Sequence, residues 1–297
     1  MAKLSITFCM ALLSFLSFGQ SKLTVEQLQA NIAAELQQQK GTFAVAFKDL
    51  STGKSFQVNG NDNFHAASTM KTPVMIELYR QADKKKFRLS DSIVIKNEFK
   101  SIVDGSPFSL NAGDDSEPYF YKHIGEKTTL DTLLYKMIIA SSNLATNMLI
   151  ELVDAKNVTA TMRSFGANDI QVLRGVEDQK AYDKGLNNTT TANDLAIIFE
   201  KIAKGKAASK KSCKAMIKTL QDQQFNSIIP AQLPKDVKVA HKTGSITRIH
   251  HDSGIVILPD GKMYVLVLLS KNFDNEKDAI QAMANVSKEV YDFVTGH

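Results

Sequence analysis

A serine and a lysine three positions apart form the first pair of residues that could do chemistry. Ser68 and Lys71 lie in the segment 64–73, directly before apolar residues with helical spacing. Residues three apart share one helix face, so the Lys71 amine is expected to reach the Ser68 hydroxyl. A serine hydroxyl becomes a nucleophile when a base takes its proton, and a lysine with a lowered pKa is such a base. The pair predicts a nucleophilic serine beside free N–H groups of a helix start.

The same spacing occurs a second time, at Ser51 and Lys54. This copy lies in a polar turn between two strand-like segments, where a solvated lysine keeps its proton. An isolated match is more often a helix N-cap followed by a surface lysine. The interpretation of Ser68 therefore depends on two further motifs.

The second motif, Ser141-Ser142-Asn143, falls at a break between two apolar helices. Ser141 offers a second hydroxyl, which could pass a proton to a leaving amine. Asn143 offers an amide that can bind both a lysine and a substrate carbonyl. Taken alone, the motif is more often an ordinary helix N-cap.

The third motif, His-Lys-Thr-Gly-Ser at 241–245, is predicted to end a strand and enter a turn. Lys242 would be a cation that adjusts the pKa values of the other two motifs and attracts an anionic substrate. Thr243 and Ser245 would hydrogen-bond a substrate carboxylate. Gly244 would let the substrate lie close to the strand, and the Ser245 N–H would be a second oxyanion donor.

The elements that must position these motifs are strands near both ends of the chain and helices between them. Strands are predicted over 42–47, 54–58, 237–243, 253–258 and 263–270. Helices are predicted over 23–40, 130–140, 143–153, 158–165, 191–204, 209–222 and 275–294. A long helical region is predicted after Ser68, until loops and short turns interrupt it over 97–125. This order predicts an α/β (α+β) fold, with one antiparallel sheet from both termini, flanking terminal helices and an inserted all-helical domain. The expected domains are 20–62 with 223–297, and 63–222, with the site in the cleft between them.

The three motifs in this order resemble the signature of class A β-lactamases and penicillin-binding proteins, over nearly the whole chain after its N-terminal segment. The resemblance implies a serine β-lactamase-like fold and an acyl-enzyme formed on Ser68. Lys71 would be the acylation base, directly or through a relay, and Ser141 would pass the proton to the lactam nitrogen. Deacylation would need a glutamate that activates water, for which the candidate is Glu177.

The loop that carries Glu177, residues 171–188, departs from the family pattern. It is shorter than usual, and Glu177 sits one residue later relative to Arg174, which is expected to bracket the loop together with Asn188. Ala181 stands where an asparagine normally helps to hold the water. Outside the loop, Ser142 stands where the family usually has an aspartate.

The residue that would bind the substrate carboxylate also differs. His251 stands where many members have an arginine, counted back from the hairpin turn at Pro259. A neutral histidine binds a carboxylate less well, and Arg248 is the candidate replacement.

These features leave three functions open. A β-lactamase needs fast deacylation, which Glu177 and the apparent leader sequence favour. A D,D-peptidase or penicillin-binding serine hydrolase would acylate by the same chemistry and release β-lactams slowly, which the loop departures favour. A non-catalytic β-lactam binder would stay acylated, and it would usually carry a membrane-spanning segment, which is not expected here.

Composition sets further limits on location and partners. Lys3 followed by the apolar run 4–18, with small residues at 17 and 19, predicts a signal peptide of residues 1–19 and an exported, periplasmic or secreted protein. Removal of this leader leaves Cys213 as the only cysteine, so no internal disulfide is expected. The net charge is +5 with scattered lysines, which argues against a nucleic-acid partner. We expect a monomer acting on a small molecule, with no cofactor and no metal, because the histidines form no ligand set.

Overall fold

The structure, a computed structural model, describes residues 23–296. In chain order, the strands of this range are β1 (Thr42–Asp49), β2 (Ser55–Val58), β3 (Phe64–His65), β4 (Ser92–Val94), β5 (Phe99–Lys100), β6 (Pro107–Phe108), β7 (Lys127–Thr129), β8 (Thr189–Thr190), β9 (Lys238–Ile246), β10 (Ile249–Ile257) and β11 (Met263–Lys271). The helices are α1 (Val25–Gln37), α2 (Lys71–Asp83), α3 (Leu130–Ile139), α4 (Asn143–Val153), α5 (Ala155–Ser164), α6 (Gln179–Asp183), α7 (Ala192–Ala203), α8 (Lys210–Gln221) and α9 (Glu276–Thr295). Three 3₁₀ helices lie at Ala67–Met70, Ala112–Asp114 and Phe120–Lys122.

The main sheet has five antiparallel strands in the order β2-β1-β11-β10-β9, drawn from both ends of the chain as predicted. The central strand, β11, is covered on both faces, because its seven inner residues, from Tyr264 to Ser270, are all buried. A strand covered on both faces needs a nearly continuous apolar sequence, which β11 has. The α+β class expected from the sequence is confirmed.

Each face of the sheet packs against its own set of helices. On one face, α1 and α9 contribute Leu28, Ile32 and Val286 to a core with the sheet. On the other face, α7 and the remaining helices form a second core. The capping box of Thr24 and Gln27 at the start of α1 is formed as predicted. The sheet is therefore the middle layer of the molecule.

Helix α2 is the buried axis of the helical region and carries Lys71 at its start. Every side chain from 71 to 79 is buried. The three consecutive apolar side chains Val74, Met75 and Ile76 point in different directions around the axis, and all three are buried, so α2 is covered on several sides. Pro73 fits because the N–H that it lacks belongs to the first turn, where it would have no helical partner.

The helices predicted with bounds agree with the observed ones to within three residues at their ends, and the loop 171–188 also contains the short α6. The long helical region predicted after Ser68 is shorter than expected, because α2 ends at Asp83 and β4 follows. Two strand predictions were wrong in a way that bears on the site. Strand β9 continues to Ile246, beyond the predicted end at Thr243, and β10 begins at Ile249 instead of Ser253. The two strands join through a two-residue turn in which Arg248 has φ +57°, so the motif at 241–245 lies inside a strand.

Other sequence predictions concern the chain ends and the cysteines. The predicted signal peptide, residues 1–19, lies outside the described residues. Between residues 23 and 296, no helix has the length and apolar character that a membrane span requires. Cys213 is buried with a free thiol.

Candidate active site

The three motifs meet in a groove between the β9 edge of the sheet and the helices. Ser68 lies in the 3₁₀ helix before α2, Ser141 lies between α3 and α4, and Lys242 lies on β9. Two adjoining cavities, of about 350 Å³ and about 580 Å³, open on this groove. The residues that line both cavities are Ser68, Asp114, Asn143 and Ser245. Cavities of this size accept a small molecule.

Ser68 lies directly against the strand that carries Lys242. A Cβ atom on Gly244 would lie 3.1 Å from Ser68 N and 3.1 Å from Thr69 N, which is tighter than ordinary side-chain contacts. Glycine therefore allows the 3₁₀ helix and β9 to approach each other. The approach brings the main chain of Ser68 beside the segment that contains Ser245, as an oxyanion site with one donor from each segment requires.

Lys71 is fully buried at the base of the groove. Its Nζ donates to Ser141 O at 2.6 Å, to Ser141 Oγ at 3.1 Å and to Asn143 Oδ1 at 2.9 Å. Burial lowers the pKa of Lys71 to about 7, although the negative charges of Asp115 and Glu177 act in the opposite direction. Near neutral pH the amine is thus available both as an acid and as a base.

The hydrogen bond expected between Lys71 and Ser68 is not among those that the structure shows for residues 23–296. The three donors of the Lys71 ammonium are already directed at Ser141 and Asn143. Spacing on a helix places the two side chains on one face, but the competing acceptors at the start of α4 decide where the amine points. The contacts of Lys71 link it to Ser141 more directly than to Ser68.

Lys242 is the second fully buried lysine, and it converges on the same hydroxyl. Its Nζ donates to Ser141 Oγ at 3.1 Å and to Thr243 O at 2.9 Å. Burial, and next the positive charge of Lys71, hold the pKa of Lys242 well below its usual range, while Asp252 opposes this shift. Ser141 has φ +57°, a left-handed backbone conformation that accompanies its position between the two lysines.

Glu177 lies on the wall of the larger cavity, linked to the rest of the site by Asn143. The Asn143 Nδ2 donates to Glu177 Oε1 at 2.8 Å, while its Oδ1 accepts from Lys71. Partial desolvation raises the pKa of Glu177, and the nearby charge of Asp115 raises it further. The hydrogen bond from Asn143 acts in the opposite direction but does not cancel the increase. One asparagine therefore connects the predicted acylation base to the predicted deacylation base.

The loop 171–188 is held at its base as the sequence predicted. Asn188 Oδ1 accepts from Leu173 N and Arg174 N, and its Nδ2 donates to Arg174 O. Above this bracket, Asn147 binds both the N–H and the carbonyl of Val176, next to Glu177. The main chain beside Glu177 is thus fixed from the helical region.

Neither residue predicted to bind the substrate carboxylate presents a positive charge to the groove. His251 lines the smaller cavity, but it is fully buried, and its ring nitrogens contact the main chain at His250 O, His65 O and Ser270 N. Burial lowers the pKa of His251 to about 4, so the ring is neutral near pH 7. The Arg248 guanidinium donates instead to main-chain carbonyls after β11 and approaches Asp274 at 3.3 Å. Turn geometry at the β9–β10 hairpin directs Arg248 away from the groove.

Sequence analysis missed a buried carboxylate beside the second motif. Asp115 accepts hydrogen bonds from Asn143 N and Leu144 N, both at 2.9 Å. The only sequence signal was the absence of an acidic residue at Ser142, which says that a carboxylate is missing but not which segment provides one. Sequence analysis also missed Asp252, whose carboxylate pairs with His241 Nδ1 at 2.8 Å behind β9.

Neighbouring histidines and acids do not create a metal centre in the part of the chain that the structure describes. Within residues 23–296, no group of three or more His, Cys, Asp or Glu side chains is arranged to hold an ion. The groove brings together hydroxyls, the two lysine amines, an amide and carboxylates. Their arrangement suits covalent catalysis by an activated serine.

Known proteins with similar sequences match this chain over most of their length. Residues 27–294 match the family described as "Beta-lactamase enzyme family". Beta-lactamase AER-1 of Aeromonas hydrophila is 26% identical over 251 residues, which cover 83% of this chain and 79% of that protein. Beta-lactamase PSE-4 of Pseudomonas aeruginosa is 24% identical over 287 residues, covering 92% and 91% of the two chains.

Solved structures give the same result. A β-lactamase from Sphaerobacter thermophilus superimposes with a TM-score of 0.78 at 28% identity, covering 93% of this chain and 99% of that one. The structure of PBP-A superimposes with a TM-score of 0.80 at 25% identity, covering 92% and 97%. Because the family match spans nearly all of the described residues, the chain belongs to the β-lactamase enzyme family, whose members are hydrolases acting on the cyclic amide of β-lactams.

Proposed function

We propose that the protein hydrolyses the β-lactam amide through an acyl-enzyme on Ser68. The Ser68 oxygen attacks the lactam carbonyl carbon, and its proton passes to the neutral amine of Lys71. The carbon–nitrogen bond then breaks, and Ser141 delivers a proton to the lactam nitrogen while Lys71 returns one to Ser141. The proton that leaves Ser68 thus ends on the lactam nitrogen, and Lys71 and Ser141 regain their initial protonation, so the step is balanced.

One observation carries this proposal: two buried lysines direct their Nζ atoms at one hydroxyl, Ser141 Oγ, both at 3.1 Å. Two ammonium groups cannot both remain fully charged so close together in a buried site, so at least one proton is mobile near neutral pH. Ser141 is thereby suited to pass protons. The hydrogen bond from Ser68 to Lys71 would form in the substrate complex, because catalytic hydrogen bonds are often established only there.

We assign deacylation to Glu177. Its carboxylate would take a proton from a water molecule that attacks the ester carbonyl, and the Ser68 oxygen would leave with a proton returned through the site. The raised pKa of Glu177 makes it a better base than a solvated carboxylate. Its placement on the wall of a cavity that also reaches Ser68 supports this role.

We assign capture of the substrate carboxylate to the β9 strand. Thr243 and Ser245 line the smaller cavity beside Ser68, and behind them lies the buried Lys242, whose protonated form a bound anionic substrate would stabilise. His251 is neutral and Arg248 is turned away, so neither of them brings a positive charge to this end of the groove. The hydroxyls and Gly244 of β9 would provide the binding surface.

We also retain the expectations about location and organisation as proposals. The N-terminal charge and apolar run of residues 1–19 support export, to the periplasm or the medium. The separate cores on the two faces of the sheet are compatible with a sheet domain, 20–62 with 223–297, and a helical domain, 63–222. A monomer that binds a small molecule and no nucleic acid agrees with the scattered surface lysines.

The test is steady-state hydrolysis of a chromogenic cephalosporin, combined with intact-mass detection of trapped adducts. We expect many turnovers per enzyme molecule and a transient adduct. A stoichiometric burst followed by no further turnover would overturn the proposal. Such a burst would favour a D,D-peptidase or an acylated β-lactam binder, in line with the structural similarity to PBP-A.

A further inference from the structure

The start of α4 is a point where the groove and a separate segment of the chain meet. Ser142 is the N-cap, and its Oγ accepts from Ala145 N at 3.2 Å. The N–H groups of Asn143 and Leu144 belong to the first turn and have no partner within the helix. These two groups need an acceptor from elsewhere, and Asn143 is one of the residues that line the groove.

Asp115 provides that acceptor from the segment between α2 and α3. Its Oδ2 accepts from Asn143 N and Leu144 N at 2.9 Å, and from Tyr121 OH at 3.0 Å. Ser142 Oγ lies 3.4 Å from the same oxygen, while Oδ1 accepts from Glu117 N. The residue is 7% exposed, so this is a buried carboxylate with all its bonds directed at the turn and its own segment.

The charge of Asp115 also acts on the groove. Asp115 and Glu177 both raise the pKa of Lys71 against the effect of burial, and the effect of Asp115 is the larger of the two. Desolvation is the largest cause that raises the pKa of Tyr121, and the charge of Asp115 is the second largest. The Tyr121 hydroxyl therefore keeps its proton and donates its hydrogen bond to Asp115. The other charged groups around Tyr121 are Glu177 and Asp114, and Lys242 faces Lys71 across the Ser141 hydroxyl. One carboxylate thus fixes the main chain of the turn and adds to the field at the lysine.

We propose that Asp115 is a positioning residue, which holds the Ser141–Asn143 turn in its proton-transfer geometry and provides the carboxylate that Ser142 lacks. This inference rests on the proposed function, because the geometry that it explains is that of the proposed relay. In the related signature the acid stands inside the motif. In this chain the acid comes from a segment 27 residues earlier and reaches the same helix start.

The first test is Asp115→Asn, measured with the chromogenic cephalosporin. The amide keeps the shape but loses the charge and one acceptor, so kcat/KM should fall about 10- to 100-fold. The acid limb of the acylation rate should also move to lower pH, because a negative charge that raises the pKa of Lys71 is gone. A purely structural role would not move this limb.

The second test moves the acid into the motif. Asp115→Ser should lower kcat/KM because the turn loses its acceptor. Ser142→Asp should also lower it, because two carboxylates would repel each other across the 3.4 Å gap. The double variant should have a kcat/KM at least about tenfold above that of Asp115→Ser. The inference would be overturned if kcat/KM of the double variant were no higher than that of the two single variants.

A matched control separates loss of stability from loss of positioning. Glu117 is on the same segment, 8% exposed and paired with Lys136 at 2.6 Å, but its side chain makes no hydrogen bond to the turn. Glu117→Gln should lower the melting temperature without changing the pH profile. If the wild type is active and Asp115→Asn has the same pH profile, the role of Asp115 is refuted. An inactive wild type would instead refute the proposed function.

Discussion

The groove has two halves that are held by different means. The half around Ser68, Lys71 and Lys242 is built from a buried helix and an inner segment of a strand, with both lysines fully buried. The half around Glu177 is built from a loop, which is fixed by side-chain hydrogen bonds from Asn147 and Asn188. In the first half the sequence matches the family motifs closely, and in the second half it departs from them.

This difference shows what each kind of scaffold tolerates. Residues on α2 and β9 are fixed by core packing, so a change of residue type there would disturb the core as well as the chemistry. A loop held by individual hydrogen bonds can shift its acid by one position and still present it to the groove. We therefore expect variants in the first half to stop acylation, and variants in the second half to alter later or weaker steps.

The largest effect should come from Ser68→Ala, which removes the nucleophile. We expect kcat to fall by at least about 10³-fold and no covalent adduct in the intact mass. The matched control is Ser51→Ala, since Ser51 and Lys54 have the same spacing in an exposed turn. An adduct that persists in Ser68→Ala would place the nucleophile elsewhere.

Glu177→Gln should give the next largest effect, confined to the second half of the reaction. Deacylation should slow about 10²–10⁴-fold, the range for loss of a general base, while acylation remains fast. The acyl-enzyme should accumulate in mass spectra. Asp183→Asn, on the same loop but bonded to Gln179, is the control. Unchanged turnover in Glu177→Gln would show that another residue activates the water.

Lys242→Ala should mainly weaken the binding of anionic substrates. We expect KM to rise about 10- to 100-fold for a β-lactam with a free carboxylate, corresponding to loss of one charge-assisted contact. The same substrate with its carboxylate esterified should be affected much less. If both substrates lost affinity equally, the role of Lys242 would lie in proton transfer and not in anion capture.

The pH dependence of acylation should report Lys71 when Glu177→Gln is used to isolate this step. Burial lowers the pKa of Lys71 to about 7, and removal of the Glu177 charge moves it further down, so in this variant the base is neutral above the lowered pKa and protonated below it. The acylation rate should therefore fall about tenfold per pH unit below the pKa. The range from pH 5 to pH 8 corresponds to a roughly thousand-fold change in proton concentration. An acylation rate that stays constant over this range would exclude neutral Lys71 as the base.

The smallest effect should come from Arg248→Ala. The guanidinium is bound to main-chain carbonyls near Phe273 and lies outside the groove, so KM should change by less than about twofold. An increase of about tenfold or more would mean that Arg248 turns into the groove when substrate binds.

Particular residues show how far sequence analysis reached. The class of the fold, the helix after Ser68 and the bracket of Arg174 and Asn188 followed from spacing and from the family resemblance, which describe neighbours along the chain. The roles suggested for Arg248 and His251 find no support in the structure, because a two-residue turn and a buried ring are set by contacts with β11 and β3. Asp115 was invisible for the same reason, since its partners lie 28 and 29 residues away.

The sequence by itself determined the residue types and their order: a serine and lysine one helical turn apart, a serine–asparagine pair at a helix start and a lysine on a strand. Only the tertiary structure decided which atoms meet, with Lys71 directed to Ser141 and a distant carboxylate at the start of α4. The reason is physical. Periodicity and capping are local properties, whereas a buried charge selects whichever partner the packing of distant segments brings within reach.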